Sequence, residues 1–190
     1  MPLANSGITA TPENNVLQSF SDATAGRSQQ LFWAMATTDS VGVDYILGRD
    51  SGISNPTSTD PMGDIDFDIT INKPTIIAGI AAIDLKWLVT DTGGGGPATG
   101  TLAITLYHYD GSTETSIGTV STRTIDVSAT SPIEETTKLQ FPITRKLFGI
   151  GDTLRLNIVG SSPYTDITLY HDPNTAGNEL KIWLPIVNLE

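Results

Sequence analysis

The sequence predicts an all-β fold: an antiparallel two-sheet β-sandwich of jelly-roll or related Greek-key topology, with an extended N-terminal arm. From Gly63 to Leu189, short segments of alternating apolar and polar residues are separated by glycine, proline and aspartate. Such alternation is typical of strands with one buried face. The Asp110-Gly111 pair between two of these segments predicts a hairpin. The 190 residues fit one domain, and we assign residues 1–30 to the arm and 31–190 to the sandwich.

The first 30 residues differ in composition from the rest. Their only clustered apolar residues are Val16, Leu17 and Phe20, which lie among serine, threonine, asparagine, aspartate and glutamine. A segment of this kind cannot bury enough apolar surface to fold alone. We expect it to lie on a neighbouring subunit, with Val16, Leu17 and Phe20 as candidate partner-binding residues. A tail without a partner is the alternative.

The chain between the arm and the main β-rich part is less regular. Residues 30–38 predict a first strand, and residues 41–50 fit either a second strand or a helical turn. Residues 51–63 hold two prolines, two glycines and many hydroxyl groups, which predicts a surface loop.

Two consecutive segments carry the strongest strand signals. Residues 63–71 alternate strictly, with isoleucine and phenylalanine on one face and aspartate and threonine on the other. Residues 74–90 form a long apolar stretch with β-branched residues and Gly79, which favours a central strand. A helix over residues 78–88 is the competing interpretation.

The second half continues the pattern to a total of about eight or nine strands, with turns every 8 to 15 residues or so. The apolar phase of these strands defines the expected core. It consists of Ile65, Phe67, Ile69, Ile83, Leu85, Leu102, Ile104, Leu106, Leu154, Leu156, Ile158, Ile182 and Leu184.

Composition and charge limit the classes of partner. The chain has 21 acidic and 10 basic residues, a formal net charge of -11, and this charge disfavours nucleic acid and anionic membranes as partners. The sequence shows neither a signal-peptide pattern nor an apolar stretch of membrane-spanning length. It contains no cysteine, which excludes disulfides and thiolate metal sites.

The two histidines of the chain lie in an internal echo. Residues 104–108 and 167–171 both read Ile-Thr-Leu-Tyr-His, and each copy runs into a turn that contains aspartate. Zinc binding or proton transfer requires the two rings to converge beside a carboxylate such as Asp110 or Asp172. We expect instead that His108 and His171 are structural residues at strand ends.

Other candidate chemistry is weak. The carboxylates of Asp64, Asp66 and Asp68 lie along a strand instead of a tight calcium loop, although Asp60 and Asp64 leave a loop-borne Ca²⁺ site open. The Gly93–Pro97 segment lacks the lysine and the helix that a phosphate-binding loop needs. No catalytic residue, cofactor or metal ligand is therefore assigned.

The three tryptophans, Trp33, Trp87 and Trp183, are the basis of a carbohydrate-binding alternative. All three lie in strongly apolar strand segments. Tryptophans in such segments are typical of a core or a subunit interface, which disfavours a sugar platform.

The C-terminal fifth of the chain resembles a known class of protein. Tyr170-His171-Asp172-Pro173 is followed by a closing strand that ends in Pro185-Ile186. This arrangement is similar to the end of small β-sandwich structural proteins of tailed phages, of the head-decoration or accessory virion kind. The resemblance covers residues 151–189.

The resemblance implies a non-enzymatic virion structural protein, with a capsid decoration (cement) protein on the outer head surface as the first expectation. The expected partners are the major capsid protein or other virion subunits, and a homo-oligomer is expected. A phage tail or fibre component, or a carbohydrate-binding β-sandwich module, is the alternative.

Overall fold

The computed structural model describes residues 27–38, 43–49, 58–60, 64–93, 96–127 and 132–188. These residues form strands and turns, and none of them lies in a helix. The strands are β1 (Arg27–Thr38), β2 (Val43–Gly48), β3 (Ser58–Thr59), β4 (Ile65–Thr70), β5 (Thr75–Asp91), β6 (Thr99–Tyr109), β7 (Glu114–Ser121), β8 (Ile125–Asp126), β9 (Ile133–Phe148), β10 (Thr153–Ser161), β11 (Thr165–Tyr170) and β12 (Leu180–Asn188).

The strands pair in the order β3-β11-β5-β12-β1-β2-β4-β10-β6-β7, while β9 pairs with β5 and β8 pairs with β6. Among the described strands every pairing is antiparallel except β2 with β4, which is parallel and joins Ile46 to Asp68 alone. This single parallel contact divides the series of paired strands into two halves. One half contains β11, β9, β5, β12 and β1, and the other contains β4, β10, β6 and β7.

The two halves share one core, which makes the fold a β-sandwich. Leu85, Trp87 and Ile182 of the first half belong to the same buried cluster as Phe67 and Leu156 of the second. The predicted phases of the strands are confirmed, because every expected core residue is buried except Ile69, which is half-buried. The all-β sandwich predicted from alternation is therefore correct.

Strand β5 shows that the strand interpretation of residues 74–90 is right and the helical one is wrong. It pairs with β9 along one edge and with β12 and then β11 along the other. Gly79 has a φ of +135° at a bulge, and an added Cβ would lie 3.2 Å from Pro185. A residue with a side chain is disfavoured there by both its backbone conformation and its space.

The Asp110-Gly111 hairpin turn is confirmed in detail. The Asp110 carboxylate accepts hydrogen bonds from the backbone N–H groups of Ser112 and Thr113, at 2.9 and 2.7 Å. These bonds, the one from Thr113 first, lower the pKa of Asp110 to about 2. Gly111 supplies the positive φ of +92° that the turn requires.

The N-terminal boundary and two strands, β3 and β9, differ from the expectation. Strand β1 begins at Arg27, so residues 27–30, which were assigned to the arm, pair with β12 of the same chain. Residues 41–50 contain strand β2, so the strand interpretation of this segment is correct and the helical turn is not. The predicted loop contains the two-residue strand β3. Strand β9 begins at Ile133, whereas the sequence pattern predicts a strand only over residues 138–148. The rest of the arm, with Val16, Leu17 and Phe20, lies outside the described residues.

Candidate functional site

The first histidine anchors a turn. His108, at the end of β6, lies 2.7 Å through Nε2 from Asp152 Oδ2, which also accepts the Gly149 backbone N–H at 2.7 Å. The hydrogen bond with His108 is the main cause that lowers the pKa of Asp152. The imidazole packs edge-on against Phe148, with 4.7 Å between ring centroids. His108 therefore joins the β9–β10 turn to the end of β6.

The second histidine lies in a different environment. His171 is fully buried, with its ring edge-on to Phe67 and Tyr45 at centroid distances of 5.7 and 5.9 Å. Within the described residues neither of its ring nitrogens has a hydrogen-bond partner. Burial lowers the pKa of His171 to about 4. The imidazole therefore remains neutral at pH 7 and acts as a packing group.

The described residues do not bring the two histidines to one site. Each has its own set of contacts, and no group of three or more histidine and carboxylate side chains in the described part of the chain is arranged to hold a metal ion. The same part contains no helix that could span a membrane.

Side chains of the neighbouring strand β10 contact the acidic face of β4. Arg155 donates to both carboxylate oxygens of Asp68, at 2.9 and 2.8 Å, and also contacts Asp66 and Glu114. The hydrogen bonds to Asp68 are the main cause that raises the pKa of Arg155. Asn157 donates to Asp64 and to Asp66. These contacts support the sheet by cross-strand pairing.

The tryptophans are mostly inside the fold. Trp87 is fully buried, and its indole N–H donates to Thr137 Oγ1 at 3.1 Å. Trp183 is 9% exposed and Trp33 is half-buried. The three rings therefore do not present the open platform on which a sugar stacks.

A cavity of about 250 Å³ opens at the end of the sandwich where β1 begins. Its apolar wall is formed by six residues from β1, β4, β5, β10, β12 and the β4–β5 connection, and its polar and charged wall by five more. The apolar residues are Phe32, Ile69, Ile71, Ile77, Leu154 and Ile186, and the others are Arg49, Thr70, Asn72, Lys73 and Thr75. We call this site the end pocket.

Two cations lie at the end pocket. The Arg49 guanidinium lies 5.5 Å from the centroid of the Phe32 ring, and Lys73 is exposed on the β4–β5 connection. Neither forms an ion pair with a described carboxylate, a property that they share with Arg145 and Lys146 of β9. In a chain of net charge -11, this unneutralised positive charge favours an anionic partner.

The end pocket is adjacent to the first residues of β1. Ser28 pairs with Ile186, which lines the pocket, and Arg27 pairs with the next residue, Val187. The described part of β1 therefore begins close to the pocket. The sequence analysis did not identify Arg49 and Lys73, because the pocket brings together residues that are distant in sequence. The sequence feature that could have identified them is the position of two cations at strand ends in an acidic chain.

Comparisons with known proteins show the fold alone. No protein-family model matches the sequence, and no curated protein matches it. A CocE/NonD family hydrolase from Staphylococcus aureus is similar in structure, with a TM-score of 0.58 and 14% identity over 85% of this chain and 37% of the hydrolase.

Two further solved structures are similar. An α-amino acid ester hydrolase has a TM-score of 0.57 and 12% identity, over 83% of this chain and 36% of its own. An aminopeptidase from a marine sediment archaeon, Thaumarchaeota archaeon, has a TM-score of 0.50 and 10% identity, over 86% of this chain and 34% of its own. The chain thus spans little more than a third of the length of each of these proteins, and at these identities only the sandwich is shared.

Proposed function

We propose that this protein is a non-enzymatic virion structural protein, a capsid decoration protein on the outer head surface that assembles through its N-terminal arm. The end pocket beside the root of the arm is the observation that carries the proposal. It is an apolar surface beside two cations, Arg49 and Lys73, that form no ion pair with a described carboxylate, on a protein of net charge -11. A surface of this kind suits a protein partner with apolar and acidic groups.

The contacts of the other ionisable groups support a structural role. Arg155 is engaged by Asp68, Asp66 and Glu114, and Asp152 is engaged by His108 and the Gly149 amide. Groups that are held in this way stabilise strands and turns. The acidic surface also suits the outside of a shell better than a surface that faces packaged nucleic acid.

The C-terminal segment that resembles the virion proteins has a defined structural role in this chain. Asp172 accepts hydrogen bonds from the Asn174 N–H at 2.9 Å and from the Thr175 hydroxyl at 2.6 Å, which organises the turn before β12. Pro185 then lies against Gly79 at the bulge of β5. The residues of the resemblance thus close the sandwich.

Electron microscopy of particles with and without the protein tests the proposal. We expect added density at regular positions on the outer surface of the head when purified protein is mixed with particles that lack it. A variant without residues 1–26 should add no density. Density on the tail alone favours the tail alternative, and an absence of bound protein at saturating concentration contradicts the virion role. Binding to a glycan array indicates a carbohydrate-binding module.

A further inference from the structure

We propose that the β9–β10 turn and the cations around it form the surface by which the sandwich docks on its partner, an apolar recess ringed by carboxylates on a protein of the viral shell. This inference rests on the proposed virion role and names a contact surface for it. We call this surface the turn surface, and it consists of Leu147, Ile150, Arg49, Lys73, Arg145 and Lys146.

The turn surface presents two large apolar side chains to solvent. Ile150, in the β9–β10 turn, is 72% exposed, and Leu147, at the end of β9, is 54% exposed. The other large apolar side chains that are exposed among the described residues, Ile80 and Tyr164, lie outside this turn. Single exposed apolar side chains are ordinary on a protein surface, so the surroundings of Leu147 and Ile150 decide what they indicate.

These surroundings are cationic. Of the lysines and arginines whose side chains are described, all those that form no ion pair with a described carboxylate belong to the turn surface. Lys146 pairs with Ile77 in β5, and Arg145 precedes it. Arg49 and Lys73 line the end pocket, which Ile77 also lines. In a chain of net charge -11, this local positive charge favours a partner that presents carboxylates.

The backbone of the turn is held by its own chain. The Gly151 N–H donates to the Ile71 carbonyl and the Ile71 N–H donates to the Asp152 carbonyl, both at 2.8 Å. The Asp152 carboxylate accepts the Gly149 N–H at 2.7 Å. These bonds fix the chain on both sides of Ile150 and leave its side chain free. A partner therefore meets a preformed apolar tip, and binding requires little further ordering of the turn.

Negative groups at the same end favour a protein partner over a membrane. The β6–β7 hairpin, which carries Asp110 and Glu114, lies at this end because Tyr109 pairs with Thr153. An anionic bilayer presents charge across its whole surface and would meet these carboxylates as well as the cations. A protein partner places its carboxylates opposite the cations alone. Nucleic acid would meet the same repulsion, and the aliphatic side chains of the turn surface offer no ring on which a base stacks.

Cosedimentation of the full-length chain with particles that lack it tests the apolar part of the surface. Ile150→Ser removes the apolar tip without adding charge, and it should weaken binding by about 10- to 100-fold, the effect of losing one buried aliphatic side chain. The matched control is Tyr164→Ser. Tyr164 is 49% exposed and lies at the other end of β5, where Thr165 pairs with Asp91, so this variant should bind as the wild type does.

A second pair of variants tests the charge. Lys146→Gln and Arg123→Gln each remove one cation, but Arg123 is ion-paired with Glu135 and lies near the other end of β6, where Thr122 donates to Leu102. Lys146→Gln should weaken binding by about two- to fivefold, and Arg123→Gln should not. Added salt should weaken the binding of the wild type more than that of Lys146→Gln. Equal losses for the two variants contradict the role of the local charge.

The outcomes separate this inference from the virion role. If Ile150→Ser binds particles with wild-type affinity, the inference is overturned and the virion role stands. If the wild type binds no particles, both fail. Binding of the wild type to vesicles of phosphatidylcholine and phosphatidylserine that Ile150→Ser loses would assign the surface to a membrane and overturn the protein contact. The urea midpoint of Ile150→Ser should equal that of the wild type, and a lower midpoint would show that Ile150 packs within the fold.

Discussion

Two copies of one pentapeptide, residues 104–108 and 167–171, have different environments in this fold. In both copies the isoleucine, leucine and histidine face the core, as the alternation of a strand requires. His108 has Asp152 as a hydrogen-bond partner, whereas His171 is packed between aromatic rings with no polar partner among the described residues. Local sequence therefore sets which face of the strand is buried, and the neighbouring strands set the chemistry of the histidine.

The two histidines differ because different residues contact the end of each strand. The end of β6 meets the β9–β10 turn, where residues 149–152 present a carboxylate held by a backbone amide. The end of β11 meets Phe67 of β4 and Tyr45 of β2.

The largest expected effect is at the aromatic neighbour of His171. Phe67→Ala removes a fully buried ring that contacts both His171 and Tyr45, and it should lower the free energy of unfolding by about 3 to 5 kcal/mol. Urea denaturation measures the change. Phe67→Leu, which keeps most of the volume, is the control and should lose less. A loss below about 1 kcal/mol for the alanine variant would mean that this region is loosely packed.

The next effect is the pH dependence of stability. The pKa of His171 is about 4 in the folded protein and about 6.5 in an unfolded chain, so the unfolded chain binds the proton more tightly. The contribution of neutral His171 to the free energy of unfolding is therefore fully present above about pH 6.5. It is lost as the pH falls toward 4, by a total of roughly 3 kcal/mol. Asp172 opposes the shift by attracting the charged ring, but burial is the larger cause.

Urea denaturation of two variants between pH 7 and pH 4 isolates this contribution. His171→Phe should flatten the decline in stability over this range. His108→Phe should retain it, because His171 is unchanged. Equal slopes in the wild type and the His171→Phe variant would show that His171 is not the group that titrates.

A smaller effect is expected at the other histidine. Asp152→Ala removes the acceptor of His108 and of the Gly149 amide, and it should cost about 1 to 3 kcal/mol by leaving a buried donor unpaired. Asp152→Asn keeps an acceptor oxygen and should cost less. In a His108→Phe background the cost of Asp152→Ala should fall by at least about 0.5 kcal/mol. If the stability losses of Asp152→Ala and His108→Phe simply add in the double variant, the two side chains do not interact.

The sequence predicts most of the fold, because alternation records which face of each strand is buried. Ile65 and Phe67, or Leu154 and Leu156, identify their strands without any knowledge of partners. The two-residue strands β3 and β8 have no periodicity to detect. The start of β9 is missed because its inward-facing positions Glu135 and Thr137 are polar, so the segment shows no apolar alternation.

The site was predictable only in part. The arm and its apolar residues are visible in composition, but the pocket depends on strand order and on the close approach of Phe32, Leu154 and Ile186. The separation of the two histidines likewise depends on tertiary contacts. The boundary at Arg27 is missed by four residues because β1 begins with polar residues that pair through their backbones.

Sedimentation velocity of the chain without residues 1–26, compared with the full-length protein, tests most directly the claim that the sandwich is self-sufficient and the arm drives assembly. We expect the full-length protein to sediment as an oligomer and the truncated protein as a monomer that unfolds at the same urea concentration. The cut lies before Arg27, so it leaves the pairing of β1 with β12 intact. A truncated protein that sediments as the same oligomer as the full-length chain would contradict the account.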